Sequence, residues 1–339
     1  MTLEEIPPTT LPGARGPARA PAPVPAGRLA GVRRFIGQIR SARGVPKWIL
    51  YSGVAIVLVF VILAIFAPLI APYGFADSSS GGTDFPKQAA PSGSHLFGTT
   101  VQSTDVLSRV IWGARTEIEV VILAVFFALA VGVPLGLISG YVGGKLDRGL
   151  VLVMDALFAF PYLLLAIVIA FLLSDKIGEG ILTAAIAITI VYIPQYFRVV
   201  RNHVMSVKEE PYVEAARALG AKRRTIVGRY VFFNVIQNVP VIATLNAADA
   251  ILTLAALGFL GYGIQPTQAA EWGYDVQRAI ADAGAGIWWT GLFPGLAIVL
   301  LVTGFTLVGE GLNDILNPLI RYRRVRRPEI PAESAEDER

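Results

Sequence analysis

"YVEAARALGAKRRTIVGRY" runs from Tyr212 to Tyr230. It is short, basic and rich in Ala, in a chain that is otherwise mostly apolar. Pro211, just before it, suits a first helical turn, where a missing N–H costs nothing. Glu209 and Glu210 lie at the positive end of the helix dipole, and Lys222, Arg223 and Arg224 follow the negative end. Gly220 can take the left-handed conformation that closes a helix. A helix over 211–219 is then about 14 Å long, too short to be stable alone in water. Something must hold it. Ala215, Ala216 and Ala218 offer a low-relief face, with Glu214 as one charged anchor and Tyr212 and Arg217 beside it. Two readings follow. The segment is either a surface helix drawn to anionic lipid by Lys and Arg, or a docking helix for a partner that moves.

The surroundings of this stretch are those of a membrane protein. The 339 residues are 54% hydrophobic and 16% charged, with a mean hydropathy of +0.59; a soluble domain carries about 25% charged residues. Six apolar runs cover residues 48–72, 118–140, 149–173, 181–198, 232–260 and 287–312. Each is close to or above the ~20 residues that cross a bilayer as a helix. All but five of the 29 basic residues fall in both tails and in the loops after the second and fourth runs; the exceptions are Lys87, Arg109, Arg115, Lys176 and Arg278. The positive-inside rule makes that side cytoplasmic and both termini internal. The basic charge therefore follows from topology, and nucleic acid is not expected as a partner.

The sequence divides accordingly. Residues 1–46, rich in Pro, Ala and Arg, read as a disordered cytoplasmic tail, within which Arg33, Arg34, Phe35 and Ile36 suit a small surface helix. Residues 47–73 form the first span and 74–113 an extracytoplasmic loop. Residues 114–320 make a five-helix core with a cytoplasmic loop at 199–230, and 321–339 form a charged cytoplasmic tail.

Chemistry within the chain looks sparse. There is no Cys and there are two His, His95 and His203, far apart, so a zinc or His-based site is not expected. "SGYVGGKLD" resembles a phosphate loop, but Ser139 replaces its first Gly and Leu146 its Ser or Thr. If ATP drives this protein, another chain binds it. Gly132, Gly136, Gly140 and Gly144 recur every fourth residue, which puts all four on one face for close helix packing. Asp155 and Asp249 lie inside apolar runs, with Asn246 one turn before Asp249. An ionised carboxylate there needs a partner or water. Each either lines a water-filled path or is satisfied by a neighbouring helix.

Glu214-Ala215-Ala216, three residues, then Gly220 resembles the signature loop of permease subunits of ATP-binding-cassette importers. The family's following Ile-x-Leu-Pro is absent: Tyr230, Phe232 and Phe233 stand there. "HLFGTTVQSTDVLSRVIWGAR" (95–115) is similar to the outer-loop motif of the dipeptide/oligopeptide/nickel subfamily, with Gly98, Thr99, Asp105, Val106, Leu107, Ser108 and Arg109 matching. "GYVGGKLDR", the Asp155 to Phe160-Pro161 stretch and "ALGFLGYGIQPTQAAEWG" also resemble it. The last departs at Gly258 and Tyr262, and at Leu254, where the subfamily often has Glu. The long loop after the first span is similar to that of the second, C-type permease of such pairs.

The resemblance implies an all-α fold of six transmembrane helices in the cell membrane and a type I importer architecture. It implies a homologous permease as partner, two P-loop ATPase subunits docked through Pro211, Tyr212, Glu214, Ala215, Ala216, Arg217 and Gly220, and an extracytoplasmic substrate-binding protein. It implies no catalysis or cofactor in this chain, with ATP and Mg held by the ATPases. Short peptides are the implied substrate, with nickel or another small solute as alternative. Asp105, Arg109 and Trp272 become candidate contacts for the binding protein, and Asn246, Asp249 and Asp155 candidates for the path. A secondary transporter remains a different class of reading; it would show more intramembrane carboxylates and an internal repeat.

Overall fold

The computed structural model describes residues 45–316; the tail readings for 1–44 and 321–339 lie outside them. The apolar runs fold as helices, because a backbone in lipid must satisfy its own hydrogen bonds. They are α1 (Val45–Ile70), α2 (Val106–Val142), α3 (Gly144–Ala159), α4 (Tyr162–Ile177), α5 (Ile181–Val207), a short α6 (Pro211–Ala218), α7 (Val239–Phe259), α8 (Trp272–Ala283) and α9 (Trp289–Leu316). Five are long and apolar enough to span a membrane, and six spans result if α3 and α4 count as one.

Three expectations change here. The third run is not one straight span: α3 and α4 meet at 96°. Pro161 supplies no N–H and disfavours helix at the residue before it, and Phe160 is extended, at ψ 140. The second span begins well before residue 114. Asp105 caps α2 by accepting from the Ser108 N–H, and the 37-residue helix is about 55 Å long, nearly twice a ~30 Å hydrocarbon core. The fifth span starts at Val239 rather than 232. Before it, the chain winds through a π-helical turn at Ile226–Val231 and a tight turn at Ile236–Asn238.

The central packing joins α2 to α5. A Cβ added at Gly132, Gly136 or Gly140 would fall 2.8 Å from Tyr196 Cβ, 2.7 Å from the Phe197 carbonyl and 2.8 Å from the Arg201 carbonyl. Glycine here permits contact between helix backbones. Gly144 does not join that face. The helix stops at Val142, and Gly143 and Gly144 turn the chain with φ of 68 and 66. α1 packs along α9, and α7 lies among α9, α8, α2, α5 and α4. A large core includes Ile118, Val121, Ile188, Tyr196, Ile251, Leu254 and Leu301. A second one, at the basic end, gathers Val200, Val204, Val213, Ile226, Val231 and Val235.

Candidate functional sites

Helix α6 is fixed at both ends. Pro211 occupies its first turn after an extended Glu210, whose carbonyl accepts from the N–H groups of Val213 and Glu214. Gly220 closes it with φ +77, and the Ala221 N–H returns to the Ala216 carbonyl at 3.0 Å. One face is buried: Val213 sits among Val200, Val204 and Ile226 of this same chain, and Ala216 is buried beside it. Ala216 therefore does not belong to a face offered to a partner. The exposed face is Tyr212, Glu214, Ala215, Arg217, Ala218 and Leu219. Leu219, 88% exposed, was not singled out from the sequence. Its signal was a large apolar side chain ending a polar helix one turn after Ala215.

Charged tethers tie the membrane helices to one another next to α6. Arg201 of α5 donates twice to Asp147 of α3, at 2.6 and 2.7 Å. Ser139 of α2 donates to the same carboxylate at 2.5 Å, and Lys208, between α5 and α6, donates to the Gly140 carbonyl at 3.1 Å. Arg198 pairs with Asp155 at 2.7 Å and lies 4.0 Å from the centre of the Phe158 ring. Asp155 is thus satisfied by a neighbouring helix and does not stand alone as a path residue.

At the opposite end, residues 71–105 fold down as a cap. A two-residue hairpin pairs Ser79 with Asp84; the rest is irregular and held by side chains. Asp105 accepts from the Ser108 hydroxyl at 2.7 Å and contacts His95 Nδ1 at 2.9 Å. Arg109 bridges to Asp275 of α8 at 2.6 Å and donates to the Phe75 carbonyl. Burial pushes the Asp275 carboxyl up, and Arg109 opposes that shift. The Trp272 indole donates to the Val110 carbonyl, Trp289 to the Thr99 carbonyl, and Gln88 to Asp282. A side chain on Gly113 would overlap the Trp272 ring. Asp105, Arg109 and Trp272 are 1%, 5% and 0% exposed. They build the cap from inside, and their expected contact with a binding protein is corrected: a protein docked on this surface cannot reach them.

Two buried carboxylates accompany the cap. Glu271 N-caps α8, accepting from the Gly273 and Tyr274 N–H groups at 2.7 Å each. Glu117 of α2, not singled out in the sequence, is fully buried and close to it. Burial pushes the Glu271 pKa up to about 8, against the pull of the two backbone N–H groups. A Cβ on Gly258 would collide with the Glu271 carboxylate, so the departure at 258 makes room for an acid. Asn246 and Asp249 separate: Asn246 is buried in the bundle, whereas Asp249 is exposed on another face of α7. Among the described residues no three His, Asp or Glu side chains gather as a metal-binding group.

Comparison with known proteins gives these features a context. Residues 132–322 match the family described as "Binding-protein-dependent transport system inner membrane component". Residues 51–91 match "N-terminal TM domain of oligopeptide transport permease C". A dipeptide transport system permease protein of Alkalihalophilus pseudofirmus is 39% identical over 272 residues, 79% of this chain and 85% of that protein. A glutathione transport system permease protein of Escherichia coli is 37% identical over 266 residues, 78% of this chain and 84% of that protein. Among solved structures, an inward-facing form of the MetNI methionine ABC transporter has a TM-score of 0.50 at 19% identity, over 62% of this chain and 96% of that one. At that identity the likeness concerns the fold alone.

Proposed function

We propose a working assembly from one premise, that the chain belongs to the inner-membrane components of binding-protein-dependent transport systems. It is a membrane-embedded transport permease. In the proposed assembly it forms half of a translocation path with a homologous permease. Two P-loop ATPases bind ATP and Mg at the basic end, and this chain holds no cofactor. Both termini are cytoplasmic, in line with the basic residues there. A substrate-binding protein docks on the capped end. The cargo is a short peptide, in keeping with relatives that carry dipeptides or glutathione.

One observation carries this reading: α6 is anchored by Val213 and Ala216 while Glu214, Ala215 and Leu219 stay uncovered. A helix held on one face and bare on the other passes force between two bodies. ATP favours the closed ATPase pair, and rigid docking of α6 transmits that preference to α5 and α7 as a population shift. The tethers Arg201–Asp147 and Lys208–Gly140 make α2, α3 and α5 follow together. The test is co-purification. Glu214→Arg and Leu219→Asp should each strip the P-loop ATPase from the complex while the chain still reaches the membrane in normal amount. Retention of the ATPase by the double variant would refute docking through α6.

A further inference from the structure

Helix α7 is buried on most of its surface, yet Leu245, Asp249, Leu252 and Phe259 are exposed. Their spacing of four, three and seven residues places them on a single stripe. Asp249 is the only charged residue in α7 and the eleventh of its 21 residues. A helix of that length covers about 31 Å, so Asp249 lies near the middle of the bilayer. Its carboxylate forms no hydrogen bond or ion pair among the described residues. A charge facing lipid at that depth costs several kcal/mol, and such residues face a bundle interior or a water-filled cavity.

Among the described residues no cation pairs with Asp249. Thr253, one turn further along α7, donates to the Asp249 backbone carbonyl at 2.8 Å, and the Tyr192 hydroxyl lies 3.1 Å from Thr253 Oγ1. Arg198 of α5 is engaged by Asp155. A mid-membrane carboxylate with no paired cation among the described residues has the chemistry of an ammonium site.

We propose that Asp249 binds an ammonium group of the substrate inside the translocation path, so that the permease itself selects for positive charge. The inference rests on the reading of this chain as half of such a path. Its ligand class is a primary amine, from a peptide's amino terminus or from a lysine side chain.

The absence of Cys from this chain makes a direct test simple. Leu252→Cys, one turn from Asp249, is placed in the complete importer in lipid. It is then treated with methanethiosulfonates bearing a quaternary ammonium or a sulfonate, and labelling of this chain is timed. The cationic reagent should be favoured about ten-fold or more over its ratio on a free thiol. Asp249→Asn should remove the preference and Asp249→Glu should keep it. A ratio unchanged by Asp249→Asn overturns the inference and leaves the path intact. A thiol that reacts with neither reagent shows the stripe sealed by a neighbouring subunit or by lipid, and overturns both. Uptake by the same complex identifies the source of the amine. If Asp249→Asn slows Ala-Phe and Lys-Phe alike, the amino terminus is bound; if it slows Lys-Phe alone, the side-chain amine is. If neither slows, the proposal fails. A wild-type complex that imports neither dipeptide breaks the peptide reading and leaves labelling to decide the ammonium site.

Discussion

The two ends of the molecule both carry short charged motifs, and they use them oppositely. At the basic end, α6 shows Glu214 and Arg217 to the outside and hides Val213 and Ala216. At the capped end, Asp105, Arg109 and Glu271 are all buried, each engaged by a partner or a helix terminus. A motif that stands out in sequence is thus either presented or used as internal bracing. Exposed charges on a short helix contribute little to stability and are free to meet another protein. Buried ones are tied to the fold, since removing one member strands the other.

That contrast can be broken by substitution. The largest effect is expected from Arg109→Ala, which leaves Asp275 charged and unpaired beneath the cap; the loss is about 3–5 kcal/mol, read as lower yield and an earlier melt of the purified complex. Leu219→Asp, by contrast, should shift stability by no more than about 0.5 kcal/mol. Equal losses for the two would erase the distinction between the ends. A smaller effect, about 1–3 kcal/mol, is expected for Gly136→Val, because the added carbons press on the Phe197 carbonyl and Val200. It sharpens the comparison by showing how far the α2–α5 seam that joins the two ends tolerates strain.

A further effect concerns pH. Glu271 has a folded pKa raised from 4.5 to about 8, so the folded state holds its proton over a range where the unfolded chain has released it. Its stabilising contribution is fully present below about pH 4.5 and is lost as pH rises through about 8. The melting temperature should fall by a few degrees between about pH 5 and pH 8, and Glu271→Gln should flatten that slope. A slope that survives in Glu271→Gln belongs to another group.

The sequence was read well where a local rule sufficed. Gly132, Gly136 and Gly140 share a face because four residues nearly complete a helical turn. Gly144 follows the same spacing, but spacing does not say where a helix stops, and Gly143 had already turned the chain. Pro161 marked a break without fixing its 96° angle, which depends on what α3 and α4 each pack against. Glu117 went unnoticed because it lies one residue before an apolar run and draws its meaning from Glu271, distant in sequence.

By itself the sequence determined the class of molecule. Apolar runs long enough to cross a bilayer, basic residues sorted to one side and a capped helix between two spans follow from hydrophobicity, charge and local backbone preference, all of which act over a few residues. Only the tertiary structure decided which face of each helix is covered. The partners of Asp155, Arg109 and Trp272 come from segments 34 to 166 residues away. Burial and pairing at such separations are properties of the packed chain, and they divide the side chains that brace this permease from those it offers to others.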